Sequence, residues 1–128
     1  MTPKDMLTNK NFCPMPWTGL MYNFDGAVKN CIRSSGPIGN IKDNSIQDIL
    51  LSERNTSTQR AMLNREPGAR CNPCYELEGN KRSFDIISDR VFYIRELKSV
   101  PLDTYQVGNH SLHTIDVRWS NLCNFGCL

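Results

Sequence analysis

The chain has 128 residues, the size of one ordinary domain with a modest core, and it is short for a complete enzyme of most classes. Its 15 lysines and arginines against 13 acidic residues leave a formal charge of +2, too weak a field to collect nucleic acid or an anionic membrane, so neither is expected as a partner. The opening MTPKDMLTNKNF lacks the apolar core of a secretory signal, and no stretch approaches the ~20 apolar residues of a spanning helix, so a soluble, cytoplasmic protein is expected.

In chain order, WTGLMYNFDGAVKNCIRS reads as a β-hairpin: two short β-forming runs flank Asn23-Phe24-Asp25-Gly26, and Asp-Gly supplies the positive φ of a tight turn. The loop SSGPIGN breaks that pattern. Ser45 then opens SIQDILLS, with Asp48 three residues on, which predicts a capped helix burying Ile46, Ile49 and Leu50. A second helical piece is expected around Thr58 to Asn64, with Ala61, Met62 and Leu63 as its apolar contacts and Pro67-Gly68 as its stop. ARCNPCYELEGNKRS reads as a Cys-x-x-Cys loop closed by Gly79. From Ser83 to Lys98, Phe84, Ile87, Val91 and Ile94 recur at helical spacing, with Ile86, Arg90, Tyr93 and Leu97 beside them, so the longest helix is expected there. After Pro101, LHTIDVRWS alternates Ile115, Val117 and Trp119 with Asp116 and Arg118 in the period of a strand that runs directly into Cys123.

Six cysteines in a chain without a signal peptide point to a reducing compartment, where clustered cysteines are more often metal ligands than disulfides. Cys71 and Cys74 can face one ion from a single turn, and the hairpin can bring Cys13 and Cys31 together across its open end. Four thiolates with no histidine suit either zinc or an iron–sulfur cluster. Residue types alone leave both open, along with unliganded or disulfide-bonded cysteines.

The other prominent groups have plain readings. Trp17 and Trp119 are expected in the core, because strand positions are where large side chains pack. His110 and His113 are expected as solvated loop residues. Arg60, Arg65, Arg70, Lys81 and Arg82 crowd the Cys-x-x-Cys loop as an exposed face, or else offset the negative charge of a thiolate cluster.

Cys13, twelve residues, Gly26, four residues and Cys31, followed by Cys71-Asn-Pro-Cys74, resembles the first part of the SPASM or twitch auxiliary-cluster domain of radical SAM enzymes. The words CPMPWTGLMYNFDGAVKNC, GNIKDNSIQDILLS and QRAMLNREPGARCNPCYELEG resemble that family's text, over roughly residues 12 to 83. With no cysteine between Cys74 and Cys123, the likeness is to the shorter, single-cluster twitch form. DVRWSNLCNFGCL in turn resembles the first barrel strand and cluster loop of a radical SAM core, with Cys123 and Cys127 at the first two positions of Cys-x-x-x-Cys-x-x-Cys. The family usually places the auxiliary domain after the barrel, whereas here it comes first.

What the resemblance implies is specific. Cys13, Cys31, Cys71 and Cys74 would hold an auxiliary [4Fe–4S] cluster, and Cys123 and Cys127 would contribute to a second cluster that binds S-adenosyl-L-methionine. The parent enzyme would modify a peptide or protein. The fold implied is α+β: a Cys-rich domain of hairpin and helices over 1–82, a long helix and linker over 83–111, and over 112–128 the first strand of a truncated (β/α) partial barrel with part of its cluster loop. On that reading the chain is an N-terminal fragment, inactive alone because its cluster loop has two of three ligands. The rival from another class is a non-catalytic structural zinc-binding interaction module in which the terminal cysteines are incidental.

Overall fold

The computed structural model of the chain describes residues 2–80 and 87–120. Lys81, Arg82, the start of the expected long helix, and Cys123 and Cys127 lie outside the described residues. The first helix, α1 (Pro3–Thr8), starts from a capping box: the Thr2 hydroxyl accepts from the Asp5 N–H, and the Asp5 carboxylate accepts from the Thr2 N–H. A single turn, α2 (Met15–Thr18), is buried throughout and leads straight into β1 (Gly19–Tyr22).

The hairpin is present. β1 pairs antiparallel with β2 (Ala27–Lys29) around a turn in which Gly26 takes φ +89°, a conformation that costs an L side chain strain. β2 pairs antiparallel with β3 (Gly39–Asn40), and the last strand, β4 (Thr114–Val117), pairs parallel with β1, giving the order β3-β2-β1-β4. The attachment continues beyond the ladder: the N–H groups of Ser111, His113 and Arg118 donate to the carbonyls of Trp17, Thr18 and Tyr22, each at 2.8 Å. β4 is an edge strand whose apolar side chains stay uncovered, with Ile115 62% and Trp119 85% exposed. Trp119, two residues past β4, is therefore not a core residue: none of the described residues packs over it. Trp17 is fully buried, from a helical turn rather than a strand.

The helices follow. In α3 (Ile46–Leu50) the Ser45 hydroxyl accepts from the Asp48 N–H as its cap; Ile49 and Leu50 are buried, while Ile46 is exposed. α4 (Glu53–Leu63) begins five residues before the sequence suggests and is longer than any other described helix. Its buried face is largely polar, which hides it from a hydrophobicity pattern. Asn55 donates to the carbonyls of Pro16 and Leu50, and Gln59 donates to those of Pro16 and Asn109 while accepting from the Gly108 N–H. These amides satisfy backbone groups that the α2 turn and the late loop would otherwise bury unpaired.

The Cys-x-x-Cys segment is the head of a helix rather than a loop: Cys71 caps α5 (Asn72–Gly79), Pro73 sits in its first turn, and Gly79 is its last residue. The next helix, α6 (Asp89–Glu96), is shorter than expected. Ser88 has extended backbone angles and its hydroxyl accepts from the Val91 N–H, so the helix starts after it. Arg90, Ile94 and Leu97 form its buried face, and Ile87 is exposed.

Two apolar clusters result. One gathers Phe12, Met15, Trp17, Met62, Ile94 and Tyr105 with Cys13; the other gathers Leu20, Val28, Ile38, Ile49 and Leu50 between the sheet and α3. Phe12, Trp17 and Tyr105 pack ring to ring at centroid distances of 5.2–5.7 Å, two of the three contacts edge-on. Among the described residues, no helix is long and apolar enough to cross a membrane.

Candidate metal centre

Three separate stretches deliver the thiols. Cys13 follows the turn in which the Phe12 N–H donates to the Asn9 carbonyl, and it is buried in the aromatic cluster. Cys31 follows β2 and is held by the Ser34 N–H, which donates to its carbonyl. Cys71 and Cys74 open α5, whose first turn is pinned by Tyr75: its hydroxyl donates to the Asn11 carbonyl and accepts from the Gly68 N–H. None of the four is in a disulfide.

All four side chains line one cavity, together with Arg33, Ser34, Arg70, Asp89, Arg90 and Tyr93. It continues outward past Cys74 into an open hollow of about 340 Å³ bordered by Arg33, Leu77, Ile87 and Asp89. Inward it meets a narrow space of about 20 Å³ lined by Cys13, Met15, Asn30, Cys31, Thr58, Arg70 and Cys71. The space that the four cysteines line together is narrow, about 20 Å³. Among the described residues no three histidine, cysteine or carboxylate side chains are gathered as a ready single-ion site, in which thiolates would stand about 3.8 Å apart around a zinc ion.

Burial raises every one of these thiols above the ordinary range, Cys13 most deeply and Cys71 to about 12, and each of Cys13, Cys31 and Cys71 is raised further by its neighbouring cysteines. Without a positive centre the four would therefore stay protonated. Backbone N–H groups oppose this: Met15 at Cys13, Arg33 and Ser34 at Cys31, and Arg90 and Asp89 at Cys74. The last pair comes from the first turn of α6, so the start of that helix faces a cysteine sulfur.

Arg33, Arg70 and Arg90 add positive charge to the wall, partly balanced where Arg33 meets Asp89 at 2.9 Å and Arg90 meets Glu78. The donor set therefore fits a soft, anionic, thiolate-held group: four thiols, N–H donors aimed at sulfur and cationic neighbours.

Of the basic residues noted in the sequence, only Arg70 reaches this wall among those described; Arg60 pairs with Glu53 and Arg65 with Asp5 at the surface. Sequence reasoning missed Arg33, Asn30, Asp89 and Arg90. The Ser88-Asp89 pair was the available signal, a cap residue followed by an acidic first turn. His110 is half-buried with its Nδ1 shielded and unpartnered among the described residues, and His113 is exposed beside the Ser111 hydroxyl; neither lines the cysteines' cavity.

Residues 13–75 match the family model SPASM, described as an iron–sulfur cluster-binding domain. The matched segment opens on Cys13 and closes one residue past Cys74, so it contains all four thiols of the cavity. No curated protein and no solved structure matches the chain.

Proposed function

We propose that this chain, whose residues 13–75 match an iron–sulfur cluster-binding domain, holds one [4Fe–4S] cluster on Cys13, Cys31, Cys71 and Cys74. The observation that carries the reading is the convergence of thiols from three distant stretches on one cavity. The match of residues 13–75 to an iron–sulfur cluster-binding domain favours a multi-iron group over zinc, which four thiolates could equally hold.

The finer reading is that the cluster is an auxiliary one in a radical SAM enzyme acting on a peptide or protein, with Cys123 and Cys127 serving the cluster that binds S-adenosyl-L-methionine. A cluster held by four cysteines supplies one-electron chemistry and leaves no iron open for a substrate, so electron relay is favoured over substrate anchoring. This chain's own contribution is to hold the four sulfurs, shield Cys13 in the aromatic cluster and set arginines and N–H donors around them.

Anaerobic reconstitution with iron and sulfide tests the assignment. Brown protein with about four irons per chain is expected, and Cys71→Ser with Cys74→Ser should lose most of that iron. Colourless protein carrying one zinc per chain would overturn it.

A further inference from the structure

The inner wall of the cysteine cavity contains one buried donor with nothing to donate to. Asn30 sits between β2 and Cys31, is only 8% exposed, and lines the inner space with Cys13, Cys31 and Cys71. Its amide nitrogen is shielded from solvent and has no hydrogen-bond partner among the described residues. A buried amide left in that state is costly, and such groups are nearly always satisfied in a native protein.

The other polar side chains of this inner wall are already engaged. The Ser34 hydroxyl donates to the Gly36 carbonyl, the Thr58 hydroxyl donates to the Arg54 carbonyl, and the Arg70 guanidinium donates to the Arg54 carbonyl and the Thr58 hydroxyl. Asn30 is also not free to move away. A Cβ added at Gly19 would stand 2.4 Å from the Asn30 carbonyl oxygen, so the two backbones press together there and only glycine permits it. The backbone of Asn30 is thus fixed beside the space that the residue lines with Cys13, Cys31 and Cys71.

Thiolate and sulfide sulfurs accept hydrogen bonds and cannot donate them, whereas an amide NH₂ donates and cannot accept. The two needs match. Resting on the iron–sulfur reading above, we infer that the Asn30 side-chain amide donates to a sulfur of the bound cluster, thiolate or bridging, and raises its reduction potential. The direction follows from charge: reduction adds an electron to the cluster, and an N–H dipole aimed at sulfur stabilises the more negative state. Asn30 is a positioning and tuning residue here, not a ligand.

The test compares wild type with Asn30→Leu, which keeps the branched shape and heavy-atom count and removes the donor, after anaerobic reconstitution. Iron and acid-labile sulfide content are measured first, and an EPR-monitored redox titration follows. Equal iron content with a shift of the Asn30→Leu potential to more negative values is expected. An unchanged potential at full iron content overturns the inference and assigns the amide to a trapped water or to packing.

Should the leucine variant fail to fold, wild-type protein carrying asparagine isotopically labelled at the side-chain nitrogen gives the answer by pulsed EPR of the reduced cluster. Hyperfine coupling from that label supports the hydrogen bond, and its absence overturns it. Wild type that takes up no iron overturns the cluster reading and this inference with it, whereas a normal cluster without the coupling overturns this inference alone.

Discussion

Tyr105 is 3% exposed, packs its ring edge-on against Phe12 and Trp17, and buries a hydroxyl that has no partner among the described residues. Its ring stabilises the core and its oxygen does not. Tyr105→Phe keeps the ring contacts and removes the unpaired group, so it should leave stability unchanged or raise it by about 1 kcal/mol in urea denaturation at neutral pH. Burial, with a smaller contribution from Cys13, pushes the phenol from about 10 up to about 12. Because the folded value is raised, the contribution is fully present below about pH 10 and is lost as pH climbs through about 12. The alkaline decline in the stability of metal-free protein should accordingly be shallower in the phenylalanine variant, and an identical decline would refute this assignment. At this scale the cysteines were legible because spacing is a sequence property, as was the burial of Trp17. Tyr105 was not, since no periodic pattern surrounds it and its neighbours come from the far end of the chain.

Between elements, Arg90 ties α6 to α5 and to the Cys13 turn. Its Nε donates to the Glu78 carboxylate at 2.9 Å, and its Nη1 donates to the Phe12 carbonyl at 2.8 Å and, longer, to that of Asn9. Its side chain is almost fully enclosed while that of Glu78 is partly open. Removing such a cation leaves the Glu78 carboxylate and the Phe12 carbonyl without this donor, so Arg90→Met should cost about 3 kcal/mol. Arg90→Lys should recover little, because an ammonium cannot reproduce the planar fork. Urea midpoints of the apo proteins decide this: a methionine variant within about 1 kcal/mol of wild type would show the tie to be ornamental. The same residue explains why α6 was misread. Arginine on a helix looks like the solvated flank, and only a partner such as Glu78, on another helix, makes it the buried side. α3 was legible because Ser45 and Asp48 state its start locally, and α4 was half legible because its first two turns bury amides rather than hydrocarbon.

In the molecule as a whole, the alternation of Ile115, Val117 and Trp119 announced a strand, but nothing in the sequence names its partner. Parallel pairing of β4 with β1 joins residues almost the whole described chain apart, and register of that kind is set by tertiary contacts alone. The pairing has a consequence for the order in which the molecule assembles. The turn between β1 and β2 encloses only a few residues, whereas bringing β4 to β1 closes a loop of roughly 90, which costs about 2 kcal/mol more in chain entropy before any contact repays it. The hairpin and its α3 cover can therefore form early, and β4 should dock after the rate-limiting step. Stopped-flow kinetics of apo protein should separate them: Val28→Ala, fully buried in β2, slows folding, whereas Leu112→Ala, which leads into β4 and packs on the same cluster, mainly speeds unfolding. If Leu112→Ala instead slowed folding as much as Val28→Ala, β4 would belong to the nucleus. Late docking would make the strand the first element to leave when the folded protein opens, so the exposed edge of β1 would be the surface on which two partly open molecules first recognise each other.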